Sequence, residues 1–363
     1  MKFSIDKNLL VHHLKKVAAI IGNNVTIPVL GNIYLEIKES KLILRATNLE
    51  VSIKTEIEVI AEKEGVTTLP SRTFTSMIYK LPDGIISFDN NDSLTTIIKC
   101  NSVRFKINGM DPKEFPEEET MKDVRKFVFN KKIFRKTLQK ISYAASTDES
   151  RYVLNGILLS VRGDVFTSAA TDGRRLALVE EELDIAGELD GDVILPSSSV
   201  AEIVKSLDFD GEITVKLSDS KASFITDDTV IITKLVEGTY PNFRHVIPEA
   251  FEYTAVIPRI IFNEALERAS IVVLDPEEDS VFVEFADNKA ILTANSQMGE
   301  SSEAVDISYE GPTMTILFNP QFLSDPLKNL DCDDFVMKLN DPDSPLAIGG
   351  EEGFMCVIMP IRT

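Results

Sequence analysis

The chain repeats one pattern three times at a spacing close to the size of a whole domain, and this repeat limits the folds it can adopt. In each copy a strand-like run precedes a helix whose apolar residues recur at i, i+4, i+7 and i+11, which is one face of a 3.6-residue period. These apolar faces begin at Leu10, Phe134 and Phe262, spaced by 124 and 128 residues. A period this long predicts three similar domains and not a solenoid of short units.

Short matching motifs support the repeat. LGNI at 30–33 corresponds to LNGI at 154–157, and ATN at 46–48 corresponds to ATD at 170–172. The third copy is looser, with LTAN at 292–295. We therefore predict domains at 1–123, 124–250 and 251–363.

Each predicted domain contains two helices and several strands bounded by polar turns. This order predicts an α+β class, with three repeats of a domain that packs two helices on a largely antiparallel sheet. The predicted helices are 7–20, 72–81, 131–145, 197–207, 259–273 and 320–330.

Composition restricts the class of protein. We find no run of about 18 apolar residues and no N-terminal signal sequence, so we expect neither a membrane span nor secretion. The cysteines Cys100, Cys332 and Cys356 are odd in number and far apart, which favours a reducing cytoplasm over a disulfide framework or metal knuckle. A pI near 4.7 argues against a simple nucleic-acid binder without excluding one, because the distribution of charge matters more than its sum.

The positive charge is concentrated on the predicted helices. They hold 14 Lys and Arg against 4 Asp and Glu, whereas the whole chain has a formal charge of −20. Solvated helix faces are often rich in lysine, which is the simpler explanation. The other explanation is that the helices share a surface that faces a polyanion.

Domain size makes the second explanation specific. A unit of about 120 residues has a diameter of roughly 35 Å. Three such units in a triangle leave a hole of about 10 Å, whereas six leave about 35 Å. A ring wide enough for duplex DNA would therefore need two copies of the chain, related by two-fold symmetry.

Ordered motifs along the whole chain resemble the bacterial sliding clamp, the beta subunit of DNA polymerase III. They are IPVLGN at 27–32, ESRYVLNG at 149–156, ATDGRRLA at 170–177, KLVEGTYPNFRHVIP at 234–248 and the C-terminal VIMPIRT. The resemblance implies three copies of one clamp domain per chain and a head-to-tail homodimer, a six-domain ring with helices lining the hole. It also implies that the ring encircles DNA independently of sequence, confers processivity without catalysis, and needs no cofactor or metal.

The resemblance further implies a pocket for short peptide motifs of the replicative polymerase, the clamp loader and other partners. Apolar members of this set would accept the apolar anchors of such a peptide. Arg174 stands where the family commonly has histidine, which affects the expected motif preference. The implied pocket residues are Leu154, Thr171, Gly173, Arg174, Arg175, Leu176, Pro241, Val246, Val357, Met359 and Pro360.

Two further sets follow from the resemblance and from the basic helix. The residues expected to face DNA are Asn24, Arg72, Lys132, Lys136, Lys140, Asp148 and Tyr152. Asn24 and Asp148 depart from the basic and amide residues expected there. The dimer interface is expected at Phe105, Ile271 and Val272, although these stretches equally suit an internal core.

An enzyme on the same triplicated scaffold, such as a hydrolase, is the alternative. The chain has no HExxH, CxxC, GxGxxG or P-loop pattern. His12 and His13 are adjacent on a helix and project about 100° apart, so they cannot readily chelate one metal. Asp172 and Gly173 are more typical of a plain turn than of a catalytic one.

Overall fold

The computed structural model describes residues 1–22, 25–90, 94–118, 121–122, 124–182, 191–207, 211–273 and 280–362. The chain forms two compact units. One comprises 1–135 and 198–235, and the other comprises 136–197 and 236–363.

Six α-helices occur in this described part of the chain, one at each predicted position. They are α1 (Lys7–Ala18), α2 (Ser71–Lys80), α3 (Lys131–Ser142), α4 (Ser197–Ser206), α5 (Arg259–Ala269) and α6 (Pro320–Asn329). Short 3₁₀ helices cover Pro28–Gly31, Pro112–Glu114, Glu149–Arg151, Phe243–Val246 and Ser270–Val272.

The strands alternate with these helices in the predicted order. In the first repeat they are β1 (Lys2–Asp6), β2 (Asn32–Lys38), β3 (Lys41–Thr47), β4 (Val51–Glu58), β5 (Ile60–Lys63), β6 (Gly65–Pro70), β7 (Ile85–Asn90), β8 (Thr95–Cys100) and β9 (Val103–Asn108). In the second they are β10 (Arg125–Asn130), β11 (Gly156–Arg162), β12 (Val165–Thr171), β13 (Arg175–Glu182), β14 (Gly191–Pro196), β15 (Glu212–Leu217), β16 (Lys221–Ile225) and β17 (Thr229–Lys234). In the third they are β18 (Tyr253–Pro258), β19 (Val281–Ala286), β20 (Lys289–Ser296), β21 (Gly299–Asp306), β22 (Ser308–Tyr309), β23 (Met314–Phe318), β24 (Asp334–Leu339), β25 (Leu346–Gly349) and β26 (Phe354–Ile358).

The unit that contains the N-terminus has two antiparallel sheets. Their strand orders are β5-β1-β7-β8-β9 and β10-β15-β16-β17-β4-β3-β2-β6. In the longer sheet β17 of the second repeat pairs with β4 of the first, with Ile231 opposite Ile53. This pairing explains why the compact unit extends beyond one repeat.

The unit that contains the C-terminus is built in the same way. Its sheets have the orders β14-β11-β12-β13-β26-β25-β24-β18-β22 and β21-β20-β19-β23. Here β26 of the third repeat pairs with β13 of the second, with Leu176 opposite Val357. The junction between the second and third repeats therefore has the same strand pairing as the junction between the first and second.

Apolar periodicity explains how the helices are held. Phe134 and Leu138 on α3 are fully buried, as the predicted apolar face requires, and Phe134 contacts Phe224 with ring centroids 5.7 Å apart. On α1, Leu10 and Leu14 are fully buried in the same way. Burial of such a side chain contributes about 1.5–3 kcal/mol, so the repeated apolar face fixes which side of each helix meets its sheet.

No helix of the described residues is both long and apolar enough to cross a membrane.

Candidate functional site

An open apolar slot lies in the C-terminal unit, where β13 and β26 meet the segment around Phe243–Val246. Its volume is about 170 Å³. The structure brings together every predicted pocket residue except Pro360, which is buried but does not line the slot. The lining residues are Leu154, Thr171, Gly173, Arg174, Arg175, Leu176, Pro241, Asn242, Phe243, Val246, Val357 and Met359.

Two of these residues, Asn242 and Phe243, were not predicted. Both follow Pro241 directly, within the segment 234–248 on which the family resemblance rests. Phe243 also packs against the buried cluster beneath the slot, which includes Leu158 and Ile194. Their position next to Pro241 within that segment was the signal in the sequence that could have indicated them.

A rigid turn between β12 and β13 forms one wall. The Asp172 carboxylate accepts hydrogen bonds from the backbone amides of Arg174 and Arg175, at 2.8 and 3.0 Å. Thr171 Oγ1 donates to the Arg175 carbonyl and accepts from the amide of Gly173. Gly173 has φ +87°, a left-handed conformation that glycine adopts without steric cost. The predicted plain turn is therefore what the structure contains.

The first repeat contains the same turn at its own junction. Asn48 Oδ1 accepts from the amides of Glu50 and Val51, and Thr47 Oγ1 donates to the Val51 carbonyl. Leu49 occupies the glycine position with φ +74°. The two turns match bond for bond, so the correspondence between ATN and ATD reflects a shared hydrogen-bonding pattern.

Arg175 holds this wall and is not available to a ligand. It is only 8% exposed. Its guanidinium donates to the Asp172 carboxylate at 3.1 Å, to the Asp325 carboxylate at 2.6 Å and to the Tyr143 carbonyl at 2.7 Å. It also lies 4.7 Å from the ring centroid of Phe322. These partners satisfy the buried charge, as a buried arginine requires.

Buried groups behind the wall keep the slot apolar. The Tyr240 hydroxyl accepts a hydrogen bond from the Thr171 amide at 3.1 Å, and burial raises the pKa of Tyr240. Burial also raises the pKa of the Cys356 thiol to about 12, so this thiol stays protonated at neutral pH. Neither group adds charge to the slot.

A polar cleft of about 470 Å³ adjoins the slot and shares Arg174 and Arg175 with it. Its wall also includes Arg151, which donates to the Asp172 carbonyl at 3.2 Å and lies 3.7 Å from the Asp148 carboxylate. Arg174 thus lies on the boundary between an apolar cavity and a polar one.

The basic residues expected to face DNA differ in how they are held. Arg72 on α2 and Lys132 on α3 are exposed. The Lys136 ammonium lies 2.5 Å from the Asp331 carboxylate, and Lys140 is ion-paired with Glu351 and only 16% exposed. That Lys132, Lys136 and Lys140 face DNA stays a prediction, and two of these three lysines are already paired with carboxylates of the chain.

The other residues of that set are at the surface or outside the described part. Tyr152 is 60% exposed. Asp148 caps the short helix that begins at position 149 by accepting from the amide and hydroxyl of Ser150, which lowers the pKa of Asp148. Asn24 lies outside the described residues.

The residues expected at the dimer interface lie at the surface and not in an internal core. Phe105 is half-buried on β9, an edge strand of the five-stranded sheet. Ile271 is 77% exposed, and Val272 beside it is half-buried.

Among the described residues, His12, His13 and Asp228 form a cluster of side chains that could ligate a metal ion. Their potential ligand atoms lie within 4.8 Å of one another. The Lys16 ammonium already pairs with the Asp228 carboxylate at 3.1 Å, and His13 Nδ1 is hydrogen-bonded to Thr55 Oγ1 at 2.7 Å. A cation beside the carboxylate opposes a second cation, so these residues suit an ion pair better than a metal ion.

Comparison with known proteins agrees with this architecture. Three models of the DNA polymerase III beta subunit match in order: the N-terminal domain at 1–119, the central domain at 128–242 and the C-terminal domain at 244–362. The beta sliding clamp of Chlamydia muridarum is 30% identical over 363 residues, covering 100% of this chain and 99% of the relative. The beta sliding clamp of Escherichia coli K12 is 27% identical and covers 100% of both chains.

Solved structures give the same result. The beta subunit of Streptococcus pyogenes DNA polymerase superposes with a TM-score of 0.94 at 26% identity, covering 100% of both chains. A Pseudomonas aeruginosa sliding clamp bound to griselimycin gives a TM-score of 0.93 at 26% identity, with the same coverage. The chain therefore belongs to the family of DNA polymerase III beta subunits, the beta sliding clamps, and is a processivity clamp of DNA replication.

Proposed function

We propose that two copies of this chain join head to tail into a closed ring around duplex DNA, with the helices lining the hole. The ring tethers the replicative polymerase, the clamp loader and other peptide-bearing partners without catalytic chemistry of its own, and it works in the cytoplasm. In this proposal the clamp domains span 1–123, 124–250 and 251–363 of each copy.

The observation that carries the proposal is a pair of sheet edges with opposite charge. Among the described strands, β9 ends the five-stranded sheet and β21 ends the four-stranded sheet. On β9 the side chains of Arg104 and Lys106 are exposed, and on β21 those of Glu300 and Asp306 are exposed. An open edge presents unpaired backbone groups, and opposite charges favour pairing with the other edge over pairing of like edges.

Apolar side chains accompany both edges. Phe105 lies on β9 itself, and the Ser296 hydroxyl donates to the Val272 carbonyl, which ties the segment with Ile271 to the turn before β21. Ile271 is 77% exposed beside an open strand edge, so its apolar surface is accessible to a second copy of the chain. A head-to-tail contact between two copies would cover the apolar side chains beside β9 of one copy and those beside β21 of the other. Two-fold symmetry repeats this contact and closes the ring.

The slot supports the tethering role. It is concave and largely apolar, with a few polar lining residues (Thr171, Asn242 and two arginines), which is the usual composition of a peptide-binding groove. A cavity of about 170 Å³ has room for one or two apolar side chains of an extended peptide.

Topological retention on DNA tests the ring directly. A protein held by six to ten phosphate contacts would lose about 10³–10⁵ in affinity between 50 and 200 mM salt. We expect weak binding to short linear duplex. Protein loaded on closed circular DNA should persist through this salt range and should be released when the circle is linearised. If retention on closed circles falls with salt as steeply as binding to short duplex, the ring proposal is wrong.

A further inference from the structure

We propose that Arg174 makes the slot selective for partner peptides that carry a carboxylate beside their apolar anchors. This inference rests on the proposed role of the slot in binding partner peptides. It adds the chemical class of the residue that accompanies the anchors.

The charge of the slot is not balanced by its own walls. None of the described residues that line it is an aspartate or a glutamate, whereas two are arginines. Arg175 is committed to Asp172 and Asp325, as described above. The Arg174 side chain is exposed, and its guanidinium makes no hydrogen bond or ion pair with any residue that the structure describes.

The neighbouring charges do not compensate Arg174. In the adjoining cleft, Arg151 lies near the Asp148 carboxylate, and the Asp172 carboxylate faces Arg175. Beyond the slot, Arg244 is ion-paired with Glu180. Arg151 and Arg244 each lie beside one carboxylate, and Asp172 and Asp325 share Arg175. Arg174 is therefore the charged residue at the rim of the apolar slot whose side chain has no partner in the described part of the chain.

A carboxylate is the group that fits this position best. A guanidinium presents a planar fork of donors that matches the two oxygens of a carboxylate, and charge-assisted bonds of this type are about twice as strong as neutral ones. The apolar wall excludes water from one side, which strengthens the interaction. The chain has a formal charge of −20, so most of its surface repels acidic peptides and a local cation decides where one can dock.

The backbone holds Arg174 in place. Its amide donates to Asp172 and its carbonyl accepts from the Met359 amide at 3.0 Å, so the residue bridges the turn and the C-terminal segment. A substitution of the side chain leaves both bonds intact. Arg174 variants therefore test recognition without removing the slot.

The experiment compares short peptides that contain two leucine anchors and either one Asp or one Asn, scanned through the positions beside the anchors. The scanned peptides have amidated C-termini. One additional Asn peptide has a free C-terminus and tests whether a terminal carboxylate can replace the carboxylate of the Asp side chain. Affinities are measured by fluorescence anisotropy for the full chain and for R174Q. We expect the wild type to favour the best Asp peptide by roughly tenfold or more over its Asn match. R174Q should bind the Asp peptide and its Asn match equally, with the affinity that the wild type has for the Asn peptide.

A second variant, R174H, adds a measurement that a loss of packing alone would not change. Arginine keeps its charge across the accessible range, so the wild-type preference should be constant between pH 5.5 and 8. Histidine loses its charge near pH 6.5, so the preference of R174H should be present at pH 5.5 and absent at pH 8. Equal thermal unfolding midpoints confirm that the variants fold.

Equal wild-type affinity for Asp and Asn peptides at every position overturns the inference, and so does an Asp preference that survives in R174Q. If no peptide binds to the wild type or to either Arg174 variant, the proposal that the slot binds partner peptides is wrong. The two failures are therefore distinguishable.

Discussion

Leu176 and Val357 lie directly opposite each other on the antiparallel strands β13 and β26, and both line the slot. They come from the second and third repeats, 181 positions apart in the sequence. The slot therefore exists only when the third repeat supplies its last strand to the sheet of the second. This relationship makes the C-terminal segment a part of the site.

Deletion of Met359 to Thr363 should abolish the binding of partner peptides. Met359 lines the slot, and its amide donates to the Arg174 carbonyl, while the Ile361 amide donates to the Leu317 carbonyl of β23. The deletion removes one wall and leaves Val357 in place. The milder M359A should weaken binding by roughly tenfold through lost apolar contact. Titration with a labelled peptide measures both effects, and unaltered affinity in a folded deletion variant would reject the slot as the binding site.

Replacement of Ile271 and Val272 by Ala should convert a dimer into monomers. Ile271 is largely exposed, so its truncation should cost the fold little while removing apolar area from the proposed contact. I60A is the matched control, because Ile60 is 72% exposed on β5 at the opposite edge of the sheet from β9. Sedimentation at micromolar concentration should give monomers for the double variant and dimers for the control. A double variant that remains dimeric would place the interface elsewhere.

Substitution of Lys132 and of Lys140 should have different consequences. Lys132 is exposed, so K132E should slow loading or sliding on DNA and change stability by less than about 0.5 kcal/mol. Lys140 is held by Glu351, so K140Q should destabilise the fold by about 1–3 kcal/mol through loss of a charge-assisted bond.

Chemical denaturation and a loading assay on nicked circles measure the two properties. The combined change of Lys132, Lys136 and Lys140 to Glu should slow loading and also lower stability, because Asp331 and Glu351 would face like charges. If K140Q and K132E behave alike in both assays, the ion pair with Glu351 contributes nothing.

Replacement of Arg175 by Met should cost about 3–5 kcal/mol of unfolding free energy. It would leave the half-buried Asp172 and Asp325 carboxylates without the buried cation that they share. Peptide binding should fall with stability, because the turn that forms the slot wall depends on the same aspartate. Urea denaturation measures the loss. R174Q is the control, because the guanidinium of Arg174 has no partner among the described residues.

Acid should weaken the contacts of α3 within the C-terminal unit. The hydrogen bond from Lys136 lowers the pKa of Asp331. For Glu351, burial acts to raise the pKa, but hydrogen bonds from Lys140 and from the backbone amides of Asp331 and Cys332 outweigh it, and the pKa is lowered. A carboxyl with a depressed folded pKa stabilises the fold above its unfolded pKa, near 4, and loses that contribution as pH falls through the folded value.

The urea midpoint should therefore fall below about pH 4. It should fall less steeply in E351Q, which has no carboxylate to protonate at this position. Parallel pH profiles for the wild type and E351Q would show that this group does not link stability to pH.

The sequence by itself determined the features that depend on local order. Apolar spacing together with the threefold repeat located all six helices, because side chains such as Phe134 and Leu138 must share one face of a 3.6-residue period. The matching ATN and ATD motifs indicated a repeated turn, because short polar side chains bond to amides two or three residues away. Membership of the clamp family and most of the slot lining followed from motifs that are continuous in the sequence.

Only the tertiary structure decided which basic side chains have an ion-pair partner among the described residues. Lys136 meets Asp331 across 195 positions and Lys140 meets Glu351 across 211, so no local pattern distinguishes them from Lys132. In the same way, two adjacent arginines differ completely in role: Arg175 points into a buried network, whereas Arg174 remains exposed without a partner in the described part of the chain. Charge and residue type are set along the chain, but the neighbours that neutralise a charge are set by which strands pair, and that pairing is a property of the fold.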